Sequence, residues 1–248
     1  MSIELGKPAD YGQYILQRRY ELAVKHAGEA MSSGGLYLDV GCGNGAQTVL
    51  FAKHFTTWIG IDVEEARLQE FRNELARTEY EAGNIPHEIE IYNGDAIPLA
   101  NGTVDFLSCI EVIEHTTNDS ATIAELFRVL KPGGTAFITV PNKWWVFETH
   151  GANLPLLPWN RVPFFSWLPK PIHSKFAKAR IYRRKEIVGL LEAAGFETRA
   201  TAFVTAPMDM IKNEKLQRKV RNMLFRENST TVPMLATSVM IVATKPIH

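Results

Sequence analysis

Leu38-Asp39-Val40-Gly41-Cys42-Gly43-Asn44-Gly45 decides how this 248-residue chain folds. An apolar run, Leu36 to Val40, leads straight into a glycine-rich turn, and a helix is predicted to follow from Ala46 to His54. Glycine has no Cβ, so the backbone here can turn sharply and pass close to a ligand. Strand, glycine turn and helix in that order open a parallel sheet, in which ligands bind beyond the carboxyl ends of the strands. Nucleotide and dinucleotide sites share such a turn, so it does not identify the ligand alone.

The pattern repeats on both sides. A helix is predicted from Tyr14 to Met31. Further strands are predicted at Thr57 to Ile61, Glu88 to Tyr92, Val104 to Ile110 and Thr135 to Val140, with helices at Glu64–Tyr80 and Asp119–Leu130 between them. Strands alternating with helices imply a doubly wound parallel sheet. The rhythm breaks at Pro141 and resumes with a helix, Arg184 to Ala194, then strands near Glu197–Thr205 and Pro233–Thr244. The organisation is a single domain over 1–248: a helical segment 1–33, a core 34–142, an irregular insertion 143–182, and a C-terminal part 183–248 with a basic helix at 208–226.

Composition agrees with a soluble globular protein, with 46% hydrophobic residues. No run of 18 or more apolar residues occurs, and Met1–Asp10 lacks the pattern of a signal peptide. The two cysteines, Cys42 and Cys109, make no disulfide framework, so a cytoplasmic location is expected. The zero net charge conceals an asymmetry: residues 1–142 hold 10 Lys+Arg against 20 Asp+Glu, and residues 143–248 hold 17 against 7. The basic half implies an anionic partner, or simply a solvated face.

Carboxylates at strand ends sharpen the ligand. Asp39 lies at the end of the first strand, where it suits an ammonium and would sit badly beside a pyrophosphate. Asp62 ends the second strand, placed for two ribose hydroxyls. Asp95 follows the third, placed for an adenine amino group. Ala46 stands where a dinucleotide fingerprint has its third glycine, which weakens a nicotinamide site. With Lys131-Pro132-Gly133-Gly134 before strand five, the set resembles the class I S-adenosylmethionine-dependent methyltransferases over about residues 34–142, and more loosely over 184–205. The resemblance implies a Rossmann-like α/β fold: a seven-stranded, mostly parallel sheet with helices on both faces and the last strand, around 234–244, antiparallel. It implies that Asp39, Gly41, Gly43, Asp62 and Asp95 line S-adenosylmethionine, with backbone of Cys42, Val63, Ala96, Cys109 and Ile110 completing the site. The product would be S-adenosylhomocysteine.

Glu111-Val112-Ile113-Glu114-His115 follows strand four. In a helical turn, Glu111, Glu114 and His115 share a face and could hold Mg²⁺ or Mn²⁺. That resembles metal-using O-methyltransferases of ubiquinone biosynthesis and small-RNA 3′-end methyltransferases. Alternatively His115, with Glu111, is the catalytic pair that removes a proton, or Glu114 and His115 merely cap the next helix. The strand-four sequence lacks the strings that accompany adenine-amino or cytosine methylation, and Cys109 reads as a small buried residue.

The insertion has Glu148 as its only acid and holds Trp144, Trp145, Trp159 and Trp167. An aromatic, basic lid suits an apolar acceptor with an anionic end, and equally a peripheral contact with an anionic membrane. His150 is a candidate for facing the substrate, and His173, between prolines, reads as a solvated loop residue. The expected function is methyl transfer to a small-molecule or lipid-like acceptor, at oxygen. The alternatives are RNA methylation, or a non-catalytic S-adenosylmethionine-binding or membrane-docking module.

Overall fold

The structure is a computed structural model that describes residues 5–147, 163–206, 211, 213–225 and 227–247. Four strands, β1 (Leu36–Val40), β2 (Thr57–Asp62), β4 (Val104–Ile110) and β5 (Leu130–Pro141), are buried at most positions. Such strands suit the middle of a sheet covered on both faces. β3 (His87–Ile91) exposes four of its five residues and lies at an edge. The order is β3-β2-β1-β4-β5-β8-β6-β7, where β6 is Glu197–Thr205, β7 Ser229–Thr230 and β8 Ala236–Thr244. β3 to β5 pair in parallel. β8 enters antiparallel between β5 and β6, and β7 pairs antiparallel with β6. The sheet has eight strands where seven were expected; the extra one is the two-residue edge strand β7, too short to leave a pattern in the sequence.

Period-two alternation sends neighbouring residues of one strand to opposite faces. Leu38 and Val40 of β1 join an aliphatic core with Ile123 and Leu126 of α4 (Asp119–Val129) and Ile187 and Leu191 of α6 (Arg184–Ala193). Tyr37 faces the other way, into an aromatic core with Phe51 of α2 (Thr48–Ala52), Phe71 of α3 (Glu65–Arg77) and Phe106. α1 (Tyr14–Ser32) covers this second face with Leu22 and Ala23. α4 starts on an Asn118 cap that accepts the Ala121 N–H at 3.1 Å, and ends before Lys131-Pro132. Proline lacks the N–H a helix would need there. β1 lies between β2 and β4, so the chain reverses its direction of winding there, and the crevice at the carboxyl ends of β1 and β4 is where a ligand fits.

Of the insertion, residues 148–162 lie outside the described residues, and with them His150 and Trp159. Its second half is more regular than expected: a turn at Phe165–Trp167 and a helix, α5 (Lys170–Phe176). Pro169 and Pro171 stand at the start of α5, where proline is tolerated. His173 is therefore buried, packed 4.9 Å from the Phe165 ring, and is not the solvated loop residue the flanking prolines implied. The basic helix is shorter than expected: α7 covers Glu214–Leu224, and Met208–Met210 lie outside the described residues. Its Arg221 is buried, donating to Asn228 Oδ1 at 2.7 Å and Thr205 Oγ1 at 3.2 Å. Among the described residues no helix is long and apolar enough to cross a membrane.

Candidate active site

The glycine turn is tied to the end of β2: the N–H groups of Gly41 and Cys42 both donate to the Ile61 carbonyl, at 2.8 and 3.0 Å. Gly41 has φ +74°, and a Cβ there would lie 2.3 Å from Val112 Cγ2. Gly45, at φ +80°, would drive a Cβ to 2.0 Å from the Phe71 ring. Both positions thus exclude a side chain on conformation and on space.

Three carboxylates stand around this turn. Asp39 is 3% exposed and accepts hydrogen bonds from Thr48 Oγ1 and Ser108 Oγ, each at 2.6 Å. Burial pushes its carboxyl up to about 6, against the pull of these hydroxyls. A buried carboxylate held by two neutral hydroxyls is poised to gain from an incoming cation. Asp62 accepts the Gly43 N–H at 2.8 Å and the Glu64 N–H at 3.0 Å, so it organises the turn while keeping lone pairs for a ligand. Asp95 is exposed in a turn closed by Asn93, whose Oδ1 accepts the Asp95 and Ala96 N–H groups.

These groups line a cavity of about 1110 Å³. Of the residues expected at the cofactor, Asp39, Gly41, Cys42, Gly43, Asp62, Val63, Asp95 and Ile110 border it. Ala96 and Cys109 do not: Ala96 faces solvent, and Cys109 is fully buried in the aliphatic core, its thiol pushed up by burial. Cys42 and Cys109 are both free. The rest of the wall includes Arg19, His115, Trp145, Phe147 and Lys178, so one cavity joins carboxylate-rich and cationic, aromatic regions.

Glu111, Glu114 and His115 do not share a helical face. Glu111 takes a left-handed φ of +56°, and Ile113–His115 is a single tight turn. Glu111 thus reaches Thr139 Oγ1, at 2.9 Å, and Arg19, at 3.6 Å. Glu114 is fully buried and hydrogen-bonded to Glu111, and burial first, then the charge of Glu111, push its carboxyl well above the ordinary range. Arg19 is the cation that stands beside Glu111. His115 Nε2 lies 3.8 Å from Glu114 and lines the cavity. Among the described residues no group of three His, Cys, Asp or Glu side chains is arranged to hold a metal ion, so this trio does not fit the divalent-ion reading.

The segment before α1 belongs to the site, although nothing in its sequence marked it. Pro8 packs on Gly43, and Gly6 lies so close to the His115 ring that a Cβ there would approach Nε2 to 2.9 Å. Asn44 Nδ2 donates to the Ala9 carbonyl at 3.3 Å, and Tyr11 Oη to the Asn44 carbonyl at 2.7 Å. Arg19 belongs to the site as well; one of two adjacent arginines in a mixed-charge helix, it carries no spacing signal in the sequence.

Residues 38–138 match the family model described as a methyltransferase domain. A probable S-adenosylmethionine-dependent methyltransferase of Mycolicibacterium smegmatis is 29% identical over 184 residues, covering 74% of this chain and 60% of that protein. A ubiquinone biosynthesis O-methyltransferase of Coxiella burnetii is 27% identical over 161 residues, covering 64% of this chain and 62% of that one. The chain therefore spans about three fifths of the length of these relatives. A crystal structure of a Methanosarcina mazei S-adenosylmethionine-dependent methyltransferase superimposes with a TM-score of 0.63 at 16% identity, over 90% of this chain and 97% of the other.

Proposed function

We propose that this chain, which carries a methyltransferase domain over residues 38–138, is a class I S-adenosylmethionine-dependent methyltransferase that methylates an oxygen of a small or lipid-like acceptor. S-adenosylmethionine, when bound, supplies an electrophilic sulfonium methyl and leaves as S-adenosylhomocysteine. Asp39 binds the methionine ammonium, Asp62 the ribose hydroxyls and Asp95 the adenine amino group. Gly41, Cys42 and Gly43 bring backbone close to the ligand, and Val63 and Ile110 flank it. Ala96, exposed beside Asp95, contributes through its backbone, and Cys109 packs behind the wall.

The observation that carries the reading is the single cavity of about 1110 Å³ that borders both the buried Asp39 and the group Arg19, His115, Trp145 and Lys178. That volume exceeds the usual range for one drug-sized ligand, leaving room for a cofactor and an acceptor together. Trp145 and Phe147 favour an apolar acceptor body, and Arg19 and Lys178 an anionic end. His115 removes the acceptor proton, while Glu111 holds Arg19 and so sets the charge beside the acceptor. The O-methyltransferase of ubiquinone biosynthesis among the relatives supports oxygen as the target.

The test supplies labelled S-adenosylmethionine and the purified protein to a cell extract split into lipid, small-molecule, RNA and protein fractions, with and without chelator. Label is expected in the lipid or small-molecule fraction and should survive the chelator, because among the described residues no group of three His, Cys, Asp or Glu side chains is arranged to hold a metal ion. His115→Ala should lower turnover by roughly 10²–10⁴. Label confined to RNA, or full turnover in His115→Ala, would overturn the assignment.

A further inference from the structure

Beside the catalytic cavity lies a second groove, of about 950 Å³, whose lining includes Lys25, Arg183, Arg184 and Lys185. Among the described residues Glu227 is the one acid that lines it, and it is paired with Lys25 at 3.1 Å. The groove therefore carries a surplus of cations. Its rim is apolar. Trp144 lines it, 37% exposed, with the Arg183 guanidinium 5.4 Å over its ring. Thr231 and Pro233 line it too, and the turn they belong to leaves Val232 and Met234 each 45% exposed and Leu235 43%. Asn142 fixes this turn beside the tryptophan: its Nδ2 donates to the Pro233 carbonyl at 2.7 Å, and its Oδ1 accepts the Trp144 N–H at 3.2 Å.

We propose that this face docks on an anionic lipid bilayer, with phosphates in the groove and Trp144, Val232, Met234 and Leu235 set into the interface. The charge is complementary to a lipid surface, and Trp among cations is the composition of a membrane interface. Exposed aliphatic residues have no counterpart on a phosphate backbone, which favours lipid over nucleic acid. Trp145 and Thr237, next along the chain from the rim, line the catalytic cavity, so an acceptor leaving the bilayer would meet its wall directly. The docking surface rests on the proposed activity only for that last step.

The test is sedimentation with phosphatidylglycerol vesicles and with phosphatidylcholine vesicles, alongside titration with S-adenosylhomocysteine. The protein should sediment with the anionic vesicles, and salt should weaken this. Arg184→Glu with Lys185→Glu should reduce binding by roughly tenfold or more. Trp144→Ser should reduce it without changing the salt dependence. Both variants should retain wild-type affinity for S-adenosylhomocysteine and a wild-type melting temperature, which separates lost docking from lost folding. No binding to anionic vesicles, equal binding to zwitterionic ones, or salt-sensitive binding of single-stranded RNA in place of vesicles would overturn the proposal. Vesicle binding without label in the lipid or small-molecule fractions would leave the surface standing and remove the activity reading; label without vesicle binding would do the reverse.

Discussion

Asp39 shows how much chemistry one buried side chain can hold in reserve. Its carboxyl rises from an ordinary 3.8 to about 6 because burial outweighs two hydroxyl bonds. Folding therefore favours its protonated form, so this group costs stability progressively as pH rises from about 4 to 6. In the proposed role of Asp39, cofactor binding has the opposite sense, since an ammonium needs the carboxylate. Calorimetric affinity for S-adenosylhomocysteine is expected to hold above pH 6 and to weaken below it, with proton release on binding. Asp39→Asn should lose on the order of 10–100-fold in affinity, about 1.5–3 kcal/mol for a charge-assisted bond, and lose the pH dependence too. A flat wild-type profile would mean that another group binds the ammonium. Gly45→Ala is a test of space rather than charge. Its Cβ would meet the Phe71 ring at 2.0 Å, and overpacking of that kind costs about 1–3 kcal/mol. A melt should show a fall of roughly 2–12 °C.

At the level of elements, the segment Leu5–Gln13 and the turn after β4 account for what the sequence left unread. Tyr11 joins the segment to the glycine turn through the Asn44 carbonyl. Tyr11→Phe should weaken S-adenosylhomocysteine binding about fivefold, the effect of one hydrogen bond of about 1 kcal/mol; unchanged calorimetric affinity would mean that the segment rests on the turn without supporting it. The strands and helices of the core were legible because their periods, glycines and caps are local signals. β4 and β6 were read to the residue, and α1, α4 and α6 to within one residue at either end. The carboxylates at the ends of β1 and β2 were legible for the same reason. Other features depend on contacts between distant parts of the chain. Glu111 adopts a left-handed φ without being glycine, held by Thr139 and Arg19, and that bend cancels the i, i+3, i+4 spacing on which the metal reading stood. His173 looked solvated because prolines flank it, yet prolines open α5 and turn it inward. The Pro8 and Gly6 contacts carry no motif, since they are made by backbone and shape.

The whole molecule is two differently filled layers on one sheet, with the ligand crevice where the winding reverses. A ligand bound only by the folded form stabilises the entire sheet. S-adenosylhomocysteine at about 100 times its Kd should add about 2.7 kcal/mol, read as a rise in melting temperature of roughly 5–10 °C; no shift at saturation would argue against a preformed site. β8 has a further consequence. It alone links β5 to β6, pairing along both, although it follows both in the chain. During synthesis, β1 to β5 can assemble as soon as they emerge, but β6 then has only the two-residue β7 beside it, and β5 keeps a raw edge towards it. At about 5–20 residues per second, the residues from β6 to the end of β8 take seconds to appear, and for that interval the nascent protein exposes unpaired strand edges on the ribosome. Chaperone demand and aggregation in this protein should therefore be governed by β8, not by the glycine turn.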